Sequence, residues 1–298
     1  MADTALVLGG GGTIGLAWTV GMMAGLAEAG IDLSCADVTI GTSAGSVLGA
    51  RLASGLSAEE LYAEQLDGAP KIDVEVTLGQ TARFLWAALG SRDPQRSVQR
   101  LGRAALAADT APESAVHEAI AVLLGGVRDW PGSDLRLTGV DARTGALEVF
   151  DATSGVTLPE AVAASCAVPV LWPPVSMAGR RWMDGGSRST ANVHLARGHR
   201  RVVAIAPIPK AVGPHPSATE QGAELAEDGT PVAVLTPDRA SRKAFGRNML
   251  DQTRCAAAAR AGRTQAAECV DTVRAVWNAP AEDQPVRQEA RGGGRPAR

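Results

Sequence analysis

Short apolar runs alternate with longer, helix-periodic ones over the first 55 residues. TALVL at 4–8 predicts a strand, and residues 15–29 predict a helix. DVTIG at 37–41 predicts a second strand, and SAGSVLGARLAS at 43–54 a second helix. Two apolar strands alternating with helices predict an α/β fold with a mostly parallel central sheet flanked by helices.

The pattern changes at residues 57–125. SAEELYAEQL, TARFLWAALG, RSVQRLGRAAL and ESAVHEAIAVLL all carry apolar positions at helical spacing, so this stretch predicts a helical insertion or cap. Residues 134–142 and 146–151, joined by RTG, predict a hairpin or neighbouring strands. LPEAVAASCAVP at 158–169 predicts a short helix ended by proline, and RRWMDGG at 180–186 a strand running into a turn. Buried strands are expected at 201–208 and 231–237, and helix over 239–277. The charged, Gly- and Pro-rich stretch at 279–298 is expected to be a disordered tail. One domain over residues 1–278 accommodates the rest.

Composition narrows the function classes. The 298 residues are 45% hydrophobic, enough for a sizeable core, and a net charge of −3 argues against nucleic acid as a partner. No apolar run reaches the ~18–20 residues that cross a bilayer. The N-terminus lacks a basic region and leads straight into a strand, so a cytoplasmic protein is expected. Cys35, Cys166, Cys255 and Cys269 are scattered without a CxxC pair, which predicts reduced thiols and no metal site.

The chemistry concentrates at two strand ends. Gly9–Gly12 and Gly15 lie between the first strand and the first helix, and Gly10, Gly12 and Gly15 fit the G-x-G-x-x-G of a dinucleotide-binding loop. That reading also needs an acid at the end of the second strand, where the sequence instead has VTIGTSAGS; Asp32 and Asp37 lie before it or at its start. Gly41-Thr42-Ser43-Ala44-Gly45 is G-x-S-x-G at a strand-to-helix junction, the context of a nucleophile elbow. Ser43 is either a nucleophile or a helix cap. A nucleophile needs a base, and none of His117, His194, His199 and His215 sits in a strand-end loop. Asp184, at the end of RRWM and followed by Gly185 and Gly186, is a candidate base or a plain Asp-Gly turn.

In order along the chain, GGGGTIG at 9–15, GTSAG at 41–45 and DGG at 184–186 resemble the signature of the patatin-like phospholipase family. AVAASCAVPVLWPPV at 161–175 and NVHLARGHRRVVAIAP at 192–207 resemble the segments flanking its Asp motif. The likeness runs over residues 4–208 and, more weakly, to 278. It implies a three-layer α/β fold and a lipid acyl hydrolase without cofactor. In such an enzyme Ser43 attacks an ester carbonyl, Asp184 takes its proton, and amides of Gly10, Gly11 and Gly12 hold the oxyanion. Gly15, Gly41, Gly45, Gly185 and Gly186 shape the motifs. Ile14 departs from the family, which has Arg or Lys there; the exchange shifts the expectation from phospholipid toward a neutral acyl ester or thioester.

FLWAALG at 84–90, flanked by Arg83 and Arg92, is expected either to touch a membrane surface or line an acyl tunnel, or to be an ordinary core helix. Two rival functions stay open: an NAD(P)-dependent oxidoreductase built on the same glycines, and a catalytically idle, lipid-binding relative.

Overall fold

The computed structural model describes residues 3–68 and 77–278; the expected tail at 279–298 and part of the helical insertion lie outside the described residues. The elements are β1 (Thr4–Leu8), α1 (Gly12–Glu28), β2 (Val38–Gly41), α2 (Ala44–Ala53), α3 (Ala58–Gly68), α4 (Leu78–Leu89), α5 (Pro94–Leu106) and α6 (Glu113–Leu124). There follow β3 (Asp134–Asp141), β4 (Leu147–Phe150), α7 (Leu158–Cys166), β5 (Val175–Met177), β6 (Arg180–Asp184) and β7 (Arg201–Ile205). The chain continues through α8 (Ala218–Glu227), β8 (Val232–Leu235), α9 (Arg239–Phe245) and α10 (Cys255–Trp277).

The eight strands form one mixed sheet in the order β5-β6-β3-β2-β1-β7-β8, with β4 paired to β3. β3, β2, β1, β7 and β8 run parallel, and β4, β5 and β6 supply the antiparallel pairs. Side-chain alternation on the central strands divides the core. Leu6, Leu8, Val203 and Ile205 face α1, α3 and α10. Ala5, Val7, Val202 and Ala204 face the opposite side, against 191–196 and α8. Period-two burial on both sides of a parallel sheet makes the three layers. A third cluster joins α2, α6 and α7 to Leu135, Leu137, Phe150 and Trp182.

Antiparallel β4 covers residues 137–140 of β3 and so occupies one of its edges. The other edge is shared. β2 takes it in parallel up to the pair Gly41–Leu137. β6 takes it in antiparallel from Asp141 back to the pair Asp184–Gly139. Two strands from opposite directions therefore end two β3 residues apart, on either side of Thr138.

Four features differ from the sequence reading. α1 begins at Gly12, so the glycine run is itself a helix N-terminus. The expected helix over 239–277 is broken between Phe245 and Cys255, and the Met249 carbonyl in the break accepts from Ile14 N–H at 3.1 Å. β5 and α8 had no strong periodic signal. Lastly, the helices of 57–125 are not one body: Leu61 and Tyr62 of α3 and Val116, Ile120 and Leu124 of α6 belong to the main cores. Among the described residues α4 and α5 pack on each other through Ala87, Ala88 and Leu101, and α5 also meets β3 and β6 through Val98.

The tightest helix crossing is α1 on α10. A Cβ on Gly21 would overlap the Ala259 carbonyl oxygen, and one on Gly262 the Trp18 carbonyl. The Trp18 indole N–H donates to Ser241 Oγ at 3.0 Å and to Gln265 Oε1 at 3.3 Å, which ties α1, α9 and α10 together in the buried core. Gly21→Ala is expected to force the helices apart and lower unfolding free energy by about 1–3 kcal/mol, despite alanine's better helix propensity. Urea unfolding of the variant checks this, and a stability equal to that of the parent chain would show that the crossing is slack.

Candidate active site

β2 ends in a turn that no ordinary residue adopts without strain. Ser43 has φ 53° and ψ −123°, and it caps α2 without a side-chain hydrogen bond to the helix. The helix-cap reading of its hydroxyl is thereby removed. The turn needs its glycines for space: a Cβ on Gly45 would overlap the Leu8 carbonyl oxygen, and one on Gly41 would lie 2.6 Å from Ser46 Cα. Ser43 N–H donates to Ser165 Oγ on α7 at 2.9 Å, and the Ser43 carbonyl accepts from Ser46 Oγ. The strained residue is over-determined by contacts, as strained functional positions are.

Asp184 reaches the same place from β6. It is 5% exposed, and its Oδ1 accepts from Gly186 N–H at 2.7 Å. Burial pushes its pKa up to about 6, while the nearby Ser43 hydroxyl and the Gly186 N–H pull the other way. A carboxyl that titrates near neutrality, in contact with a strained serine, is suited to accept a proton.

The glycine loop closes the third side. A Cβ on Gly10 would lie 3.0 Å from Ser43 Cβ, so the loop passes directly against the elbow. Gly10 N–H, one of the three expected oxyanion donors, is engaged with the Thr190 carbonyl at 2.7 Å. Gly11 and Gly12 stand at the start of α1, where helix N–H groups have no intrahelical acceptor, and no partner is seen for either among the described residues. Gly12 has φ +59° and abuts Met249 and Leu250; Gly11 and Gly15 both press on Pro207.

Two cavities meet at Ser43. One, of about 140 Å³, is lined by Gly10, Gly11, Gly12, Ser43, Asp184 and Gly186, with Phe84, Ile208 and Val212 at its outer wall. The other, of about 70 Å³, is apolar and runs between α2, α6 and α7 past Val47, Val116, Ile120, Leu123, Trp172 and Leu250. Among the described residues no Lys or Arg lines either cavity. Cys166 also borders the apolar cavity, but burial, and then the Asp184 charge, push its thiol pKa well up, so it stays protonated.

The remaining candidates fall elsewhere. His194 and His215 line a separate cavity with Arg188 and Gln221, His117 lies 3.8 Å from Glu113 on α6, and His199 Nδ1 contacts the Ala196 carbonyl at 2.9 Å. Ile14 is fully buried in the core under α1 and does not line the cavities. Asp37 accepts from Asp3 N–H, Thr4 N–H and Thr4 Oγ1, and Asp32 caps the turn at Leu33–Cys35, so neither is a free acid at the end of β2 for a ribose. Among the described residues no group of three His, Cys, Asp or Glu is gathered for a metal ion.

One supporting residue escaped the sequence reading. Asn192, fully buried at φ 54°, donates from Nδ2 to Thr42 Oγ1 and to the Ser189 carbonyl, both at 3.0 Å, while Thr138 Oγ1 donates to Thr42 Oγ1 at 2.9 Å. It joins the serine elbow to the segment after Asp184. A small polar residue between Ala191 and Val193 carries no local signal for this.

The sequence profile of the family described as patatin-like phospholipase matches residues 6–197. Among solved structures, VipD from Legionella pneumophila is similar with a TM-score of 0.47 and 12% identity, over 91% of this chain and 67% of that one. The type III effector ExoU is similar with a TM-score of 0.40 and 17% identity, over 91% of this chain and 53% of ExoU; its heterodimeric complex with SpcU, from Pseudomonas aeruginosa, gives 0.40, 17%, 92% and 52%. The chain spans about two thirds of the length of VipD and about half that of ExoU. No curated protein matches it. With the family profile covering well over half of its length, the glycine loop, elbow and Asp motif among the residues matched, the chain belongs to the patatin-like phospholipase family.

Proposed function

We propose that this protein is a serine acyl hydrolase for lipid-type esters, with Ser43 as nucleophile and Asp184 as its base. The observation that carries the reading is the convergence on one cavity of a strained elbow serine, a buried carboxyl of raised pKa and a glycine loop in which, among the described residues, Gly11 and Gly12 N–H have no partner. Asp184 takes the Ser43 proton as Oγ attacks the carbonyl carbon. The resulting oxyanion lies toward Gly11 and Gly12 N–H, at the positive end of α1. Asp184 returns the proton to the departing alcohol, leaving an acyl-serine. It then takes a proton from water, which attacks the acyl carbon and frees Ser43 and the fatty acid.

The apolar cavity between α6 and α7 suits the acyl chain, and the wider one beneath Phe84 the alcohol. With no cation among the described residues of either wall, a substrate neutral near the reacting carbon is favoured over one whose phosphate must sit there. The cavity walls support this, while the buried Ile14 does not act on the substrate directly.

Ser43→Ala is expected to lower kcat/KM on p-nitrophenyl acyl esters by roughly 10³-fold or more and to abolish labelling by a fluorophosphonate. Turnover near that of the parent chain would remove Ser43 from the chemistry.

For Asp184 the sign of the pH effect follows from its raised pKa. Only the ionised form accepts a proton, so kcat/KM should rise as pH increases through about 6 and level off above it. Stability should move the opposite way: between the unfolded value near ~4 and the folded value, the native state holds the extra proton, so stability falls as pH rises across that window. Asp184→Asn should therefore be inactive yet more stable than the parent chain at pH ~7.5, by on the order of 1–3 kcal/mol, a gap that closes near pH ~4. Urea unfolding at both pH values, beside a pH–rate profile, measures this. An active Asn variant, or a profile flat through pH ~6, would exclude Asp184 as the base.

A further inference from the structure

The α4–α5 hairpin is built unlike the rest of the molecule. Its inner side is conventional: Ala87, Ala88 and Leu101 are buried together, Ser97 Oγ donates to the Ala88 carbonyl at 2.6 Å, and Gln95 Nε2 donates to the Thr144 carbonyl at 2.8 Å. Its outer side is not. Trp86 is 70% exposed, Leu89 63% and Leu85 42%; with Leu106 they are four of the five large apolar side chains exposed among the described residues.

Charge is concentrated there too. Residues 78–106 hold five arginines, Arg83, Arg92, Arg96, Arg100 and Arg103, against one acid, Asp93, for a net charge of +4 in a chain whose total is −3. None of the five forms an ion pair among the described residues. Asp93 is engaged as the cap of α5. Arg83 donates to the Ala104 and Ala107 carbonyls, and the Arg100 guanidinium lies 4.6 Å from the Trp86 ring centroid. The other three are exposed. An outward tryptophan and leucines ringed by arginines without an ion pair among the described residues suit neither bulk water nor a protein core. They match the boundary between phospholipid headgroups and acyl chains, where Trp sits in the interface and Arg meets phosphate.

Placement adds a purpose. Phe84, directly before the outward residues in α4, lines the cavity that holds Ser43 and Asp184. No helix among the described residues is long and apolar enough to cross a membrane, so the contact is with a surface.

We propose that the α4–α5 hairpin docks the protein on an anionic phospholipid surface, with Trp86, Leu85 and Leu89 seated at the headgroup level and Arg92, Arg96 and Arg103 on phosphates. Docking sets the mouth of the Ser43 cavity against the bilayer. That purpose rests on the hydrolase reading, but the docking itself does not.

The test uses the full chain carrying Ser43→Ala, so that binding is measured without turnover. It is sedimented with vesicles of phosphatidylcholine alone and of phosphatidylcholine mixed with phosphatidylserine. Binding should be strong only to the mixed vesicles and should weaken with salt. A basic residue near an anionic surface contributes about fivefold, so Arg92→Gln, Arg96→Gln and Arg103→Gln together should weaken it about a hundredfold. Trp86→Ala should weaken it about tenfold. All of these side chains lie on the surface, and unchanged thermal melts verify folding. Equal affinity for both vesicles, or binding indifferent to the arginine and Trp86 changes, overturns the proposal. So does the absence of vesicle binding together with a concentration-dependent dimer that Trp86→Ala dissolves, which would make the face a contact between copies. Inactivity of the unmodified Ser43 protein toward esters alongside normal docking would overturn the hydrolase reading alone.

Discussion

The sharing of one β3 edge by two opposed strands governs the site. β2 climbs along β3 to Gly41, β6 descends along it to Asp184, and Thr138 lies between their ends. Whatever follows β2 must then meet whatever follows β6. The room is small: a Cβ on Gly185 would overlap Thr138 Oγ1, and Thr138 Oγ1 itself bonds Thr42. The parallel pairing Leu8–Gly41 brings the glycine loop to the same end of the sheet, where the elbow can press on it. Three short motifs far apart in the chain become one site because strand register leaves them no other place.

What the sequence revealed is what local chemistry dictates. β1, α1, β2 and α2 were legible because apolar runs and glycines lie next to the turns they make. So was the serine elbow, since its glycines and its strand-to-helix context are adjacent. Asp184 could be singled out as a candidate base for Ser43 or a turn residue, but not the route that delivers it, because the β3–β6 pairing is antiparallel within a sheet whose opening read as parallel. Gly10 looked equivalent to its neighbours; the acceptor that sets it apart, Thr190, lies far along the chain. Asn192 and the break before α10 were invisible for the same reason. The glycine run itself admitted a phosphate or an oxyanion, and only the family likeness separated the two.

Electrostatic roles are divided across the molecule. Among the described residues the cavity walls at Ser43 carry no cation, and Ile14 turns into the core under α1 where a cation would be costly. Arginines gather instead on the α4–α5 hairpin, outside the reacting centre. The arginine cluster and the cavity that holds Ser43 and Asp184 thus lie on different parts of the chain, so either can change without remaking the other.

The hydrogen bond from Ser43 N–H to Ser165 has a consequence for biosynthesis. The two residues are 122 positions apart, and Asp184 lies further still. During synthesis the serine turn emerges long before the helix that supports it and the strand that brings its acid. A chain on the ribosome therefore carries an unsupported serine in a turn it has every reason to relax. The elbow is therefore held in its strained form only once α7 has packed beside it, and it meets Asp184 only once β6 has closed on β3.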